Sequence, residues 1–150
     1  MIDAYGKADA SKRFAMFNID SQEPEGEPFM VVIGDVQYTP NVVRKGPLQF
    51  ETDGFKAAPY SAGVEARSLK EREKKGAVRC DLLGERKIGA EQALGYQIRS
   101  PGNAADPTAI HLWVSRSTGL PLVHGMGSDD MLRWVYGTAV AAPASGKIRK

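Results

Sequence analysis

Apolar and polar residues alternate with a period of two along Ala109–Val123, AIHLWVSRSTGLPLV. Ile110, Leu112 and Val114 fall on one side of an extended chain, and His111, Trp113 and Ser115 on the other. Ser117-Thr118-Gly119 interrupts the pattern, and glycine supplies the positive φ that a tight reversal needs before Leu120 and Leu122 resume the alternation. Two adjacent antiparallel strands are predicted, with one strongly apolar face.

The same reading covers most of the chain. Arg13–Ser21 reads as a strand, the loop Gln22–Glu27 follows, and Pro28–Gly34 (PFMVVIG) is too rich in β-branched residues for a helix. Gly34-Asp35 turns the chain into Val36–Thr39, Pro40 ends that strand, and Leu48–Thr52 adds a short one. Ala77–Leu83, Gln92–Ser100, Thr108–Ser115, Leu120–Met126 and Met131–Val140 read as further strands, with turns at Gly84–Ala90, Pro101–Pro107 and Gly127–Asp130. Strands in quick succession imply a meander, in which sequence neighbours are also neighbours in space.

Helical periodicity interrupts the strands between Tyr60 and Gly76, where Val64, Ala66 and Leu69 lie among charged residues of both signs at i,i+3 and i,i+4 spacing. Lys74-Lys75 before Gly76 suits a helix C-terminus, because cations oppose its negative pole and glycine accepts the left-handed cap. Ile2–Ser11 is a second, shorter helix candidate with Ile2, Tyr5 and Ala8 inward, weakened at Gly6 by about 1 kcal/mol. The predicted class is α+β: a single strongly curved antiparallel sheet of about eight or nine strands with one or two capping helices. Residues 1–143 form the domain and 144–150 a flexible tail.

Composition changes this picture little. The chain has 150 residues, 42% hydrophobic and 25% charged, which fits one folded domain. Its 20 basic and 18 acidic residues are interspersed and sum to +2, so the one-signed field that nucleic acid requires is missing. The first twenty residues hold no uninterrupted apolar run of the kind that marks a signal peptide. Cys80, alternating with Val78 and Leu82, reads as a small core hydrophobe.

Candidate chemistry is sparse. No G-x-S-x-G, H-E-x-x-H, C-x-x-C or phosphate-loop pattern occurs. Gly125-Met126-Gly127 begins like a dinucleotide fingerprint, but Asp130 stands where the third glycine is required. Alternation sends His111 toward the polar face as a surface histidine and His124 toward the apolar face as a hydrogen-bonded rim histidine. Asp129-Asp130 reads as a turn whose side chains bond their own backbone. No catalytic residue, metal or cofactor is expected.

The apolar stripes carry more information. Phe14 and Met16, Val31 and Ile33, Leu112 and Val114, and Leu122, Trp134 and Tyr136 would line a concave face, and one long helix is little cover for so many strands. A cavity left partly open on that face would hold a hydrophobic small molecule or lipid.

Several motifs, in order, resemble a known family: Val32-Ile33-Gly34-Asp35 followed by Tyr38; Cys80, Gly84 and Gly89; Tyr96 and Ile98; Leu112–Leu122; and Trp134–Gly137 leading to Val140–Pro143. Together these are similar to the lipoprotein-carrier-like half-barrel superfamily of bacterial envelope proteins. The resemblance implies an unclosed antiparallel barrel in the periplasm whose apolar cavity binds acyl chains or lipoprotein anchors without catalysis. The same fold with a filled core would instead be an interaction or sensory module for an envelope protein partner. The family's cap region, which falls on Val42–Tyr60, reads here as loop.

Overall fold

The computed structural model describes residues 12–19, 27–102 and 106–150. The helix expected over Ile2–Ser11 lies outside them, as do the strand end at Asp20 and Ser21, most of the loop Gln22–Glu27, and Asn103–Ala105. The strands are β1 (Arg13–Asn18), β2 (Met30–Ile33), β3 (Val36–Gly46), β4 (Gln49–Pro59), β5 (Arg79–Ile88), β6 (Glu91–Arg99), β7 (Ile110–Ser115), β8 (Pro121–Met126), β9 (Asp129–Tyr136) and β10 (Ile148–Arg149). Among the described residues there is one α-helix, α1 (Ala62–Lys74). The class is α+β. The hydrogen-bonded order is β10-β4-β3-β2-β1-β9-β8-β7-β6-β5, ten strands in one unclosed sheet. It is mixed rather than wholly antiparallel, because β10 pairs parallel with β4.

The chain divides into two compact units. Among the described residues, the first comprises 61–134 and the second 12–60 with 135–150.

In the first unit, β5 to β8 form an antiparallel meander whose register places Cys80, Leu82, Tyr96, Ile98, Ile110, Leu112 and His124 on one face. The other face carries Asp81, Gln97, His111 and Trp113. The hairpin at Gly119, φ 70°, joins β7 to β8 antiparallel as its sequence predicts. Gly84 does not begin a turn. Its φ of 124° sits at a bulge that lets β5 run on to Ile88, and the reversal comes at Gly89 instead. Helix α1 buries Ala66 and Leu69 and ends in a glycine cap: Gly76 N–H donates to the Glu73 carbonyl and Ala77 N–H to that of Arg72.

In the second unit, Pro40 does not terminate β3. It stands beside a register shift between Pro40 and Val42, and the strand continues to Gly46, so Val42–Tyr60, expected as loop, is mostly a long β3–β4 hairpin. Strands β1 and β2 are covered on both faces: Phe14 packs against Tyr60 and Tyr136, while Ala15 and Val31 cluster with Val140. The segment expected as a tail forms a 3-10 turn at Ser145–Lys147 and then β10. Arg149 anchors it, donating to Asp53 Oδ1 at 3.0 Å and to the Gly146 carbonyl at 2.8 Å. Gly54 makes that docking possible, because a Cβ there would collide with the Lys147 carbonyl.

Candidate functional site

The apolar face of the first unit is filled at one end and open at the other. Leu112 and Val114 are buried in a cluster with Leu94 and Tyr96, so that end is core. Toward the other end of the strands, α1 stands off the sheet and leaves a cleft of about 610 Å³. Its apolar walls are Val64 and Leu69 on α1, Val78 ahead of β5, Ile98 on β6 and Ile110 on β7. Ser61, Ser68, Arg72, Arg99, Ser100, Asp106, Thr108 and His124 supply its polar surface. Apolar side chains remain exposed on this face, Leu82 at 66% and Met126 at 45%, and on α1 opposite it, Val64 at 57%.

The helix spacing explains how α1 contributes. Val64, Ser68 and Arg72 follow one another at i,i+4, and Ser61 and Leu69 flank that stripe, so one side of the helix faces the opening. The charges differ in how they are satisfied. Asp106 is enclosed by its own loop: Oδ1 accepts from Thr108 N–H at 2.9 Å and Thr108 Oγ1 at 2.7 Å, and Oδ2 from Ser100 N–H at 3.4 Å. These bonds, those of Thr108 foremost, hold its carboxyl below the usual carboxylate range. Arg99 donates through Nε to Asp81 Oδ2 at 3.0 Å, and Arg79 holds Asp81 Oδ1 at 2.9 Å. Arg72 has no counter-ion among the described residues, and His124 has no hydrogen bond among them. Burial, and secondarily the charge of His111, push the His124 imidazole below its ordinary value.

The opposite face carries a second polar cluster. His111 is buried there, not at the surface, with Nδ1 3.2 Å from the Gly127 carbonyl and Nε2 2.8 Å from Asp130 Oδ1. Asp130 is therefore not a turn carboxylate bonding its own backbone: Arg86 donates to its Oδ2 at 2.7 Å. The Arg86 guanidinium also stacks 4.3 Å from the Trp113 ring centre. Burial pushes the Asp130 carboxyl up, but the bonds and charges of Arg86 and His111 outweigh it and leave it below the usual range. Among the described residues, no group of three or more His, Cys, Asp or Glu is placed to hold a metal ion.

The expected ligand-lining residues fall elsewhere. Phe14, Met16, Val31, Ile33 and Tyr136 belong to the second unit. The β1–β2 register there pairs Phe14 with Val32 and Ala15 with Val31, which sets Phe14 and Met16 on the face opposite Val31 and Ile33. In the first unit, Leu112 and Val114 are core, Leu122 is the extra residue at a β7–β8 register shift, and Trp134 lies on β9. None of these lines the cleft. Among the residues that do, alternation places Ile110 on the apolar face and His124 at its rim, helical spacing places Val64 and Leu69, and Val78 and Ile98 belong to strand patterns, whereas Ser61, Ser68, Arg72, Arg99, Ser100, Asp106 and Thr108 carry no such reading. The i,i+4 stripe Val64-Ser68-Arg72 carried the signal for the helix side.

No known family profile matches the chain, and no curated protein matches it. Solved structures similar to it include a crystal structure of MucB in complex with MucA(peri), at 17% identity and a TM-score of 0.44, covering 97% of this chain and 56% of that one. Another crystal structure of MucB is 16% identical with a TM-score of 0.43, covering 99% and 61% respectively. The chain thus spans less than two thirds of the length of these structures.

Proposed function

We propose that this chain is a non-enzymatic binding module of the bacterial envelope that takes a segment of another protein into the cleft between α1 and the β5–β8 face. The carrying observation is the incomplete cover of that face: Leu82, Ile110 and Met126 remain open beside a cleft whose far end is packed core. Contiguous exposed apolar surface rimmed by polar groups marks interaction sites. The polar lining favours a peptide over an alkyl chain. The Ser61 and Ser68 hydroxyls and the Arg72 guanidinium would lose water to an alkyl chain and gain nothing, whereas a peptide brings its own N–H and C=O groups.

A lipid or acyl chain is the second reading, and the cleft volume, within the usual small-molecule range, speaks for it. The motif resemblance is what supports the envelope setting.

Selection of peptides on the immobilised protein, followed by calorimetry of the best synthetic peptide, tests the proposal. Saturable binding that weakens by about tenfold or more in Ile110→Asp supports it. Ile110 is more than one-third exposed, so the fold tolerates the charge, and an unchanged urea midpoint verifies that. Absence of peptide binding, with fatty acyl species retained by the protein in native mass spectrometry, would replace this reading with the lipid one.

A further inference from the structure

The cleft's charges are unevenly balanced, and the imbalance says what its occupant must carry. Its carboxylate, Asp106, has acceptor sites taken by Thr108 and Ser100, and its second cation, Arg99, is bound to Asp81. What remains without a partner among the described residues is donor-rich: the Arg72 guanidinium near the C-terminal end of α1 and the imidazole of His124 on β8. At the other end of the helix, the Ser61 side chain makes no cap to the first turn.

These features lie along a line of known length. From Ser61 to Arg72 the helix rises about 16 Å at roughly 1.5 Å per residue. An extended chain covers that distance in about five residues at roughly 3.3 Å each. Between the two ends the walls are aliphatic: Val64, Leu69, Val78, Ile98 and Ile110.

Resting on the protein-binding reading above, we infer that the occupant is an extended segment of about five residues, aliphatic through its middle and bearing an acidic group at the end that meets Arg72. A carboxylate there gains a charge-assisted contact with a guanidinium whose planar fork matches both carboxylate oxygens, and a basic residue would face Arg72 unpaired. An aliphatic middle covers Ile98 and Ile110 without stranding polar groups.

Peptide selection from a randomised library, run on wild type and on Arg72→Glu, tests this directly. Wild type is expected to enrich aliphatic sequences with Asp or Glu toward one end. Arg72→Glu should shift the enrichment to Lys or Arg and weaken the best acidic peptide by about tenfold or more. Arg67→Glu, an exposed change on the same helix outside the cleft, should leave that peptide within about twofold, which separates local contact from net charge. Enriched aliphatic peptides with no acidic preference, or a preference that survives Arg72→Glu, would overturn the inference while leaving protein binding in place. Enrichment of nothing would remove both. Oleate that binds wild type, loses affinity in Arg72→Glu and displaces the peptide would reassign the anion site to an acyl ligand, and so overturn the peptide.

Discussion

The six-membered ring of Trp113 occupies the space in which Gly95, its cross-strand partner, would carry a side chain. A Cβ on Gly95 would lie 2.6 to 2.9 Å from three ring carbons. His111 stands in the same relation to Gly125 on β8, where a Cβ would collide with the imidazole and with the Asp129 carbonyl. Two glycines thus seat two large rings against the sheet, and those rings carry Arg86 and Asp130 above them.

Gly95→Ala should therefore destabilise the fold by about 1 to 3 kcal/mol through overpacking. Gly146→Ala, where an added Cβ meets nothing within 4 Å, should change stability by less than about 0.5 kcal/mol. Urea midpoints of the two variants at constant slope check this.

Asp130→Asn leaves Arg86 and the buried His111 facing a neutral amide. The expected cost is about 1 to 3 kcal/mol at neutral pH. Because the folded carboxyl sits below its ordinary value, the stability it contributes is present above about pH 4 and is lost as pH falls through the folded value. Wild type and variant stabilities should converge in that acid range, which denaturation curves between pH 7 and pH 2 will show.

His124 titrates with the opposite chemistry and the same sign of pH dependence. Its imidazole is held below the ordinary 6.5 by burial, so as pH drops past that value the unfolded chain takes up a proton that the folded chain resists. Stability is complete above about pH 6.5 and declines as the solution becomes more acidic. His124→Gln should flatten this slope between pH 7.5 and pH 5.5, measured as thermal midpoint against pH.

Gly54→Ala strains a backbone at φ 65° and pushes against the Lys147 carbonyl. The expected outcome is a loss of about 1 to 2 kcal/mol and release of β10. Limited proteolysis should then cut within Ser145–Lys150 faster than in wild type.

Legibility in the sequence followed the range of the interactions. The Gly119 hairpin and the helix with its Gly76 cap are local, and alternation or 3.6-residue spacing reported them faithfully. Pro40 and Gly84 looked like breakers because a bulge and a turn use the same residues, and only the cross-strand partner decides between them. Alternation assigned His111 to the face opposite Leu112 but said nothing about what covers that face, so its burial under Asp130 was missed. Likewise the pattern named an apolar face through Leu112 and Val114. Ile110 and His124 share that face by the same alternation, but which part of it stays open beside the cleft depends on where α1 rests, which a strand pattern does not report.

The β10–β4 pairing bears on the order in which the chain folds. Ile148 meets Phe55 across 93 intervening steps of sequence (148 − 55), for a strand of two residues. The β3–β4 and β5–β8 ladders close short loops and are favoured early, whereas this contact pays a large closure entropy for few hydrogen bonds. Its two-residue length and edge position favour late formation and early opening, so amides of Ile148 and Arg149 are expected to exchange with solvent well before those of β6 and β7 in hydrogen-exchange measurements.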